Sequence, residues 1–173
     1  MIREARPTDI DAIEKIYDNI HTAEENGSAV IGWTRGVYPT RTTAEDALVR
    51  RDLFVLDEDG RIKAAAIINK TQVDVYKNAA WEFEAGDDEV CVLHTLVVDP
   101  ACSGQGIGSR FVSFYEKYAL SRRCTTLRID TNEKNAVARA LYKRLGYREA
   151  GIAPCVFNGI PGVNLVLLEK KLK

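Results

Sequence analysis

The chain has 173 residues, and its 24 basic and 25 acidic residues leave a formal net charge of −1. Hydrophobic residues make up 46% and charged residues 28% of the chain, as in ordinary globular proteins. This length, without repeats or a Pro/Gly-rich linker, predicts a single domain over residues 1–173. Because the charges balance, we expect neither nucleic acid nor an anionic membrane as a partner.

The N-terminal segment MIREARPTDI carries charges and has no apolar core, so it does not read as a secretion signal. No apolar run reaches the roughly 20 residues that a membrane span requires. The four cysteines are far apart and form no CxxC pair, and the chain has only two histidines. We therefore expect free thiols in a reducing cytoplasm, without a disulfide framework or a metal site.

The N-terminal half of the chain alternates short apolar runs with helical patterns. The predicted elements are a strand at 2–5, a helix at 7–20, a helix from Thr42 or Thr43 to about Arg50, and a hairpin over 52–70. In the hairpin, Asp59 and Gly60 form a dipeptide suited to a tight turn between two apolar runs. Residues 71–89 give no clear prediction.

The C-terminal half begins with VCVLHTLVV at residues 90–98, which is apolar on both faces, as a central buried strand should be. The elements predicted after it are a helix from about 107, a strand at 125–131, a helix at 133–145, and strands near 147–153 and 163–172. This order favours a mixed α/β sheet covered by helices.

A glycine-rich stretch, CSGQGIGSRF at residues 102–111, follows the central strand and opens the next helix. The first amides of a helix lack intrahelical partners and carry partial positive charge, so this turn suits an anion such as phosphate. A nucleotide-triphosphatase loop would place a lysine after the glycines, and this stretch has none. A dinucleotide-binding fingerprint reads GxGxxG, whereas the spacing here is GxGxG. A glycine-rich turn without a ligand remains the alternative.

The sequence resembles the GNAT superfamily of N-acetyltransferases in two blocks that follow each other in the order found in that family. The blocks are LVVDPACSGQGIGSRFVSFYEKYA and LRIDTNEKNAVARALYKRLGY. The second block carries the family pattern as Asn135, Ala138, Tyr142, Gly146 and Tyr147. The resemblance implies an α/β (α+β) GNAT fold, a mixed central sheet of six to seven strands flanked by about four helices. It also implies N-acetyltransferase activity with acetyl-CoA as cosubstrate and no metal.

The resemblance further implies which residues bind acetyl-CoA. The pyrophosphate would lie over the glycine loop and the pantetheine along the central strand. The residues concerned are Leu96, Val97, Val98, Ser103, Gly104, Gln105, Gly106, Ile107, Gly108, Ser109, Asn135 and Tyr142. Ser103 stands where the family usually has Gln or Arg, and we expect Gln105, Ser109 or Arg110 to compensate. Asn135 and Tyr142, seven residues apart, share one helix face; the alternative is a helix cap and a core aromatic residue.

The implied reaction is direct attack of a primary amine on the thioester in a ternary complex, with Tyr142 protonating the departing thiolate. A base is also needed, and Val92 occupies a position where the family often has Glu. His94, two residues further along the same strand face, is our candidate base. The alternative is a buried, hydrogen-bonded histidine, and Glu82, Glu84 and Glu89 are rival bases.

The acceptor amine is not specified by the sequence. Trp33 and Tyr38 lie where the family carries its variable acceptor segment, and Glu82 and Glu84 belong to an acidic stretch that could attract a cation. We favour a small-molecule amine over a peptide amine. A non-catalytic acyl-CoA-binding module is the alternative function, and a homodimer is open by family analogy.

Overall fold

The computed structural model describes residues 1–173, apart from the side chain of residue 78. One seven-stranded sheet and four helices form the fold, which confirms the predicted mixed sheet of six to seven strands flanked by about four helices. The strands are β1 (Ile2–Glu4), β2 (Leu53–Glu58), β3 (Arg61–Asn69), β4 (Val90–Val98), β5 (Thr126–Asn132), β6 (Arg148–Phe157) and β7 (Ile160–Lys171). The helices are α1 (Ile10–Glu25), α2 (Arg41–Arg50), α3 (Ile107–Ser121) and α4 (Ala136–Arg144).

The strand order is β1-β2-β3-β4-β5-β7-β6. Neighbouring strands are antiparallel except for β4 and β5, which are parallel and lie at the middle of the sheet. The connection between these two strands is the glycine loop and α3, as expected for a parallel crossover. The glycine loop therefore starts at the centre of the sheet.

The turn between β2 and β3 forms as its sequence predicts. Asp59 has a φ of 53° and Gly60 a φ of 80°, so both central residues are left-handed. This conformation matches the twist of the two strands and favours an Asp-Gly pair. The Asp57 carboxylate also accepts a hydrogen bond from the Gly60 amide at 3.0 Å.

The helices cover both faces of the sheet. On one face, α3 and α4 pack on the central strands, and the Tyr115 hydroxyl donates to the Cys91 carbonyl at 2.6 Å. On the other face, α1 and α2 pack on β2 and β3. A third apolar cluster lies beneath the segment at 73–85, which contains a 3₁₀ turn at Asp74–Asn78. The site described below opens between these clusters.

Helix length and composition bear on membrane insertion. No helix in the described part of the chain combines the length and the apolar character needed to span a membrane.

Candidate functional site

The candidate site lies where β4 and β5 stop pairing. Their ladder runs from Val90 opposite Thr126 to Leu93 opposite Ile129, and beyond it the two strands continue without pairing to each other. A cavity of about 950 Å³ opens at this fork, lined by the ends of both strands, the glycine loop, α4 and the 28–33 segment. Leu96, Val97 and Val98, which the family resemblance assigns to pantetheine binding, line this cavity.

A β-bulge gives the end of β4 its direction. Between the pairs His94–Ile67 and Val97–Ala65, β4 advances by three residues while β3 advances by two. Thr95 takes up the extra residue with a left-handed φ of 51°. Such bulges bend a strand and redirect its groups. Beyond the bulge, β4 pairs with β3 on one edge and faces the cavity on the other.

The glycine loop presents a row of backbone amides. Gly104 and Gly106 have φ values of 77° and 71°, and the space where a Cβ would stand at either residue is empty out to 4 Å. Gly106 directly precedes α3 and offers no capping side chain. The amides of residues 104–109 donate no hydrogen bond to any described residue. Six consecutive free donors at a helix N-terminus form a binding surface for an anion.

Gly108 has a different role from the other two glycines. A Cβ at this position would lie 3.0 Å from Cδ2 of Leu141, so Gly108 allows α3 to approach α4 closely. Gly108 also lines the cavity, so the expectation that all three glycines allow a ligand to approach stays a prediction, and the helix contact is a further role of Gly108.

The basic group beside the loop comes from α4. Nη2 of Arg144 donates to Oγ of Ser109 at 3.2 Å, and both residues line the cavity. Arg110, one of the residues expected to compensate for Ser103, is instead ion-paired with Glu58. Gln105 is exposed and does not line the cavity. Arg144 was missed because it lies 35 residues from Ser109 in the sequence.

Asn135 and Tyr142 both line the cavity from α4. Oδ1 of Asn135 accepts from the Ala138 amide at 3.0 Å, so the residue caps the helix, as the alternative interpretation held. Its Nδ2 has no acceptor among the described residues and remains available to a ligand. Tyr142 is buried and packs edge-on to Tyr147, with ring centroids 5.9 Å apart. Burial raises the pKa of the Tyr142 phenol, which therefore stays protonated at neutral pH.

Asp130 is a second site residue, after Arg144, that was not predicted from the sequence. It follows the last residue of β5 that pairs with β4, lines the cavity, and accepts a hydrogen bond from the Tyr76 hydroxyl at 2.7 Å. Burial raises the pKa of Asp130, and the hydrogen bond from Tyr76 partly opposes that change. Its only signal in the sequence is the one acidic residue of the strand TLRIDTN, which does not reveal the fork.

His94 lies near this carboxylate but does not line the cavity. Its Nε2 is 3.0 Å from the Thr71 carbonyl oxygen and 3.1 Å from Oδ1 of Asn69. Burial lowers the pKa of His94, so the ring is neutral at neutral pH. This placement is that of a half-buried, hydrogen-bonded histidine.

Trp33 and Tyr38, the predicted acceptor residues, lie together. Tyr38 packs edge-on to Trp33 and to Phe157, with centroid distances of 5.9 and 5.3 Å, and its hydroxyl bonds to Thr95 Oγ1. Trp33 and Phe157 line the cavity, and Tyr38 supports them from behind. The three rings form an aromatic wall, named so below.

Glu82 and Glu84 do not join the site. The Glu82 carboxylate pairs with Arg148 at 2.9 Å, and its backbone amide donates to the buried Glu169 at 2.8 Å. Neither Glu82 nor Glu84 lines the cavity. These contacts tie the 81–84 segment to β6 and β7.

This chain is similar to several known proteins. Streptothricin acetyltransferase from Escherichia coli is 28% identical over 108 residues, which are 62% of this chain and 59% of that protein. The chain thus spans less than two-thirds of that relative. A GNAT-family acetyltransferase structure from Streptococcus agalactiae superposes with a TM-score of 0.83 at 23% identity, covering 100% of this chain and 95% of that one.

The Salmonella typhimurium protein yncA, in a structure with its cofactor acetyl-CoA, superposes with a TM-score of 0.69 at 20% identity. The superposition covers 100% of this chain and 94% of that one. Both structural likenesses show the fold. Residues 10–147, well over half of the sequence, match the acetyltransferase (GNAT) family, and the chain therefore belongs to that family.

Proposed function

We propose that this protein transfers the acetyl group of acetyl-CoA directly to a small primary amine within a ternary complex. One observation carries the proposal: a loop with free amides, in which Gly104 and residues 106–109 line the cavity, and an open strand edge meet at the same cavity. The first feature suits a pyrophosphate and the second an extended chain with amide groups. Coenzyme A contains a pyrophosphate joined to an extended pantetheine chain with two amide groups.

The residues of the site fit this donor. Amides 104–109 would bind the pyrophosphate oxygens, with Arg144 as the adjacent cation. The edge of β4 at 96–98 and Nδ2 of Asn135 would bind the pantetheine amides. The likeness of the fold to yncA, whose structure contains acetyl-CoA, supports this assignment.

Tyr142 is proposed as the proton donor to the leaving thiolate. Acetyl-CoA supplies a thioester whose acetyl carbon an amine attacks, and the thiolate that leaves requires a proton or a hydrogen bond. Tyr142 lines the cavity, and its hydroxyl has no hydrogen-bond partner among the described residues. Because its pKa is raised, the phenol is protonated and able to donate.

The 28–33 segment favours a small acceptor over a protein. Its position is fixed by the Glu24 carboxylate, which accepts hydrogen bonds from the amides of Ile31 and Gly32. Gly32 also packs directly against Asn132 at the end of β5, where a Cβ would stand 2.2 Å from Nδ2. This contact holds the 28–33 segment against β5 at the wall of the cavity. The name of the Escherichia coli relative, an enzyme for streptothricin, agrees with a small acceptor.

Two measurements test the proposal together. Isothermal titration with acetyl-CoA measures donor binding, and a thiol-release assay over a panel of small amines measures transfer. We expect binding and amine-dependent release. Binding without release for any amine or peptide would favour the acyl-CoA-binding module, and absence of binding would contradict both functions. The cytoplasmic location, the single domain and the dimer remain predictions from the sequence.

A further inference from the structure

Two carboxylates line the cavity, and of these Asp99 caps the turn after β4 while Asp130 lies at the fork between β4 and β5. Asp130 follows Ile129, which is the last β5 residue paired with β4, and it lines the cavity there. Tyr76 donates to Oδ2 of Asp130 at 2.7 Å, while Oδ1 accepts no hydrogen bond from any described residue. The carboxylate thus has one oxygen fixed and one oxygen available to a ligand.

No cation compensates this carboxylate within the described part of the site. The titratable groups close enough to Asp130 for its charge to act on them come from five other segments and are Tyr38, Tyr76, His94, Tyr142 and Cys155. Each of these groups is neutral at neutral pH. Arg128, two residues earlier on β5, stacks on Trp81 at 4.2 Å and donates to Gln72. Lys134, in the turn before α4, and Arg144, which bonds to Ser109 of the glycine loop, also line the cavity, and neither pairs with Asp130 in the described structure. A sequestered carboxylate without a counterion favours a cationic ligand.

The surroundings of Asp130 indicate the chemical character of the rest of the cationic ligand. Tyr76 belongs to the apolar cluster of Val163 and Leu165, both of which line the cavity. The aromatic wall adjoins the same space, since Tyr38 lies close enough to Asp130 to respond to its charge. Apolar surface next to one anion suits an organic ammonium with an apolar or aromatic body, and aromatic faces attract ammonium groups as well.

We infer that Asp130 binds the ammonium of the acceptor and accepts its proton, with Tyr76 positioning the carboxylate, and that the acceptor is a small primary amine with an apolar or aromatic body. This inference rests on the proposed function and names the acceptor subsite of the same cavity. It assigns to Asp130 the proton-accepting role that the sequence analysis gave to His94.

The proton balance of the reaction is complete with this assignment. The ammonium R–NH₃⁺ gives one proton to the Asp130 carboxylate, and the nitrogen lone pair forms the C–N bond while the C–S bond breaks. Tyr142 protonates the departing sulfur. The second proton that the nitrogen loses returns to the Tyr142 phenolate. Asp130 then releases its proton to water. The products are an N-acetyl amine, free coenzyme A thiol and one proton.

The test compares Asp130→Asn with the wild type, using 2-phenylethylamine as acceptor and spermidine and a lysine-containing peptide as contrasting acceptors. The amide of Asn keeps the shape and can still accept from Tyr76, but it cannot take a proton. We expect kcat/KM for phenylethylamine to fall by about 100-fold or more, as is typical for loss of a general base. The Kd for acetyl-CoA should stay within about two-fold, since Asp130 does not contact the glycine loop. Asp46→Asn, on the exposed surface of α2, is the matched control and should behave as the wild type.

A second variant, Tyr76→Phe, tests positioning through the pH profile. The hydrogen bond from Tyr76 lowers the pKa of Asp130, so its removal should move the acidic limb of kcat/KM to higher pH. In Asp130→Asn that limb should disappear. If His94 is the base instead, His94→Ala will remove the limb and Asp130→Asn will retain it, which would overturn the inference.

The remaining outcomes separate the inference from the proposed function. Wild-type activity within about three-fold in Asp130→Asn would refute the role of Asp130 and leave acetyl transfer intact. Efficient acetylation of spermidine or the peptide, but not of phenylethylamine, would refute the acceptor class. If the wild-type protein binds no acetyl-CoA, the proposed function itself fails, and the inference fails with it.

Discussion

Gly108 on α3 and Leu141 on α4 are in such close contact that a Cβ at Gly108 would lie 3.0 Å from Cδ2 of Leu141. The two helices therefore meet directly behind the cavity. This contact fixes the distance between the loop amides and the α4 face that carries Asn135 and Tyr142. The third glycine of the loop thus acts on the ligand site through packing.

Gly108→Val should destabilise the fold, because its branched side chain would displace Leu141 and with it α4. We expect a loss of about 1–3 kcal/mol in the free energy of unfolding, the usual range for overpacking. Urea denaturation measures this loss. In the double variant Gly108→Val/Leu141→Ala the losses should be less than additive, because shortening Leu141 makes room for the valine. Strict additivity would refute the contact.

Arg144→Ala should weaken acetyl-CoA binding by about ten-fold, the scale of one charge-assisted hydrogen bond. The guanidinium is held at the loop by its bond to Ser109, and both residues line the cavity. Isothermal titration at two salt concentrations measures the effect, and the variant should also be less sensitive to salt. Lys143→Ala, at the neighbouring exposed position outside the cavity, is the control. Equal effects of the two variants would argue against a specific role of Arg144.

Tyr142→Phe should lower kcat by ten-fold or more, because the variant has no general acid for the leaving thiolate. A general acid typically raises the rate by about 100-fold or more. The change removes the hydroxyl and keeps the ring that packs on Tyr147, so donor binding and stability should be nearly unchanged. Stopped-assay thiol release at saturating substrates measures kcat. Tyr147→Phe is the matched control, because Tyr147 does not line the cavity. Unchanged turnover in Tyr142→Phe would exclude it as the proton donor.

Asp130→Asn should stabilise the protein at neutral pH. Burial raises the pKa of Asp130 in the folded state above its unfolded value, so the folded state binds more protons between those two values. Wild-type stability therefore falls as pH rises through this window, by about 1.4 kcal/mol for each unit of pKa difference. The advantage of the Asn variant should be present at pH 7.5 and should vanish in acid. Denaturation at both pH values measures it, and a variant that is less stable at pH 7.5 would contradict the account.

Local sequence signals predicted most of the fold. The Asp59–Gly60 turn formed as expected because its two left-handed residues are encoded in adjacent positions. The central strand and the glycine loop were also correct, because a two-sided apolar run and a helix N-terminus are local patterns. Even so, α2 begins after Thr40 rather than after Thr42 or Thr43, since the Thr40 amide donates to Thr43 Oγ1.

The parts of the site that were not predicted depend on contacts between distant segments. The bulge at Thr95 follows from the register of β4 against β3, which no single residue specifies. Asp130 becomes a cavity residue only because β5 parts from β4 after Ile129. Arg144 reaches the loop only because α3 and α4 pack closely. In each case tertiary pairing decides the role of a residue whose type alone is unremarkable.

The central claim is that the amides of the glycine loop bind the pyrophosphate of acetyl-CoA, and amide chemical shifts in ¹⁵N-labelled protein test it most directly. On titration with acetyl-CoA, the amide signals of residues 104–109 should shift in a saturable way, together with those at the edge of β4. The exposed amides of α2 should not respond. If the loop signals stay in place while acetyl-CoA saturates the protein, the assignment of the loop is wrong.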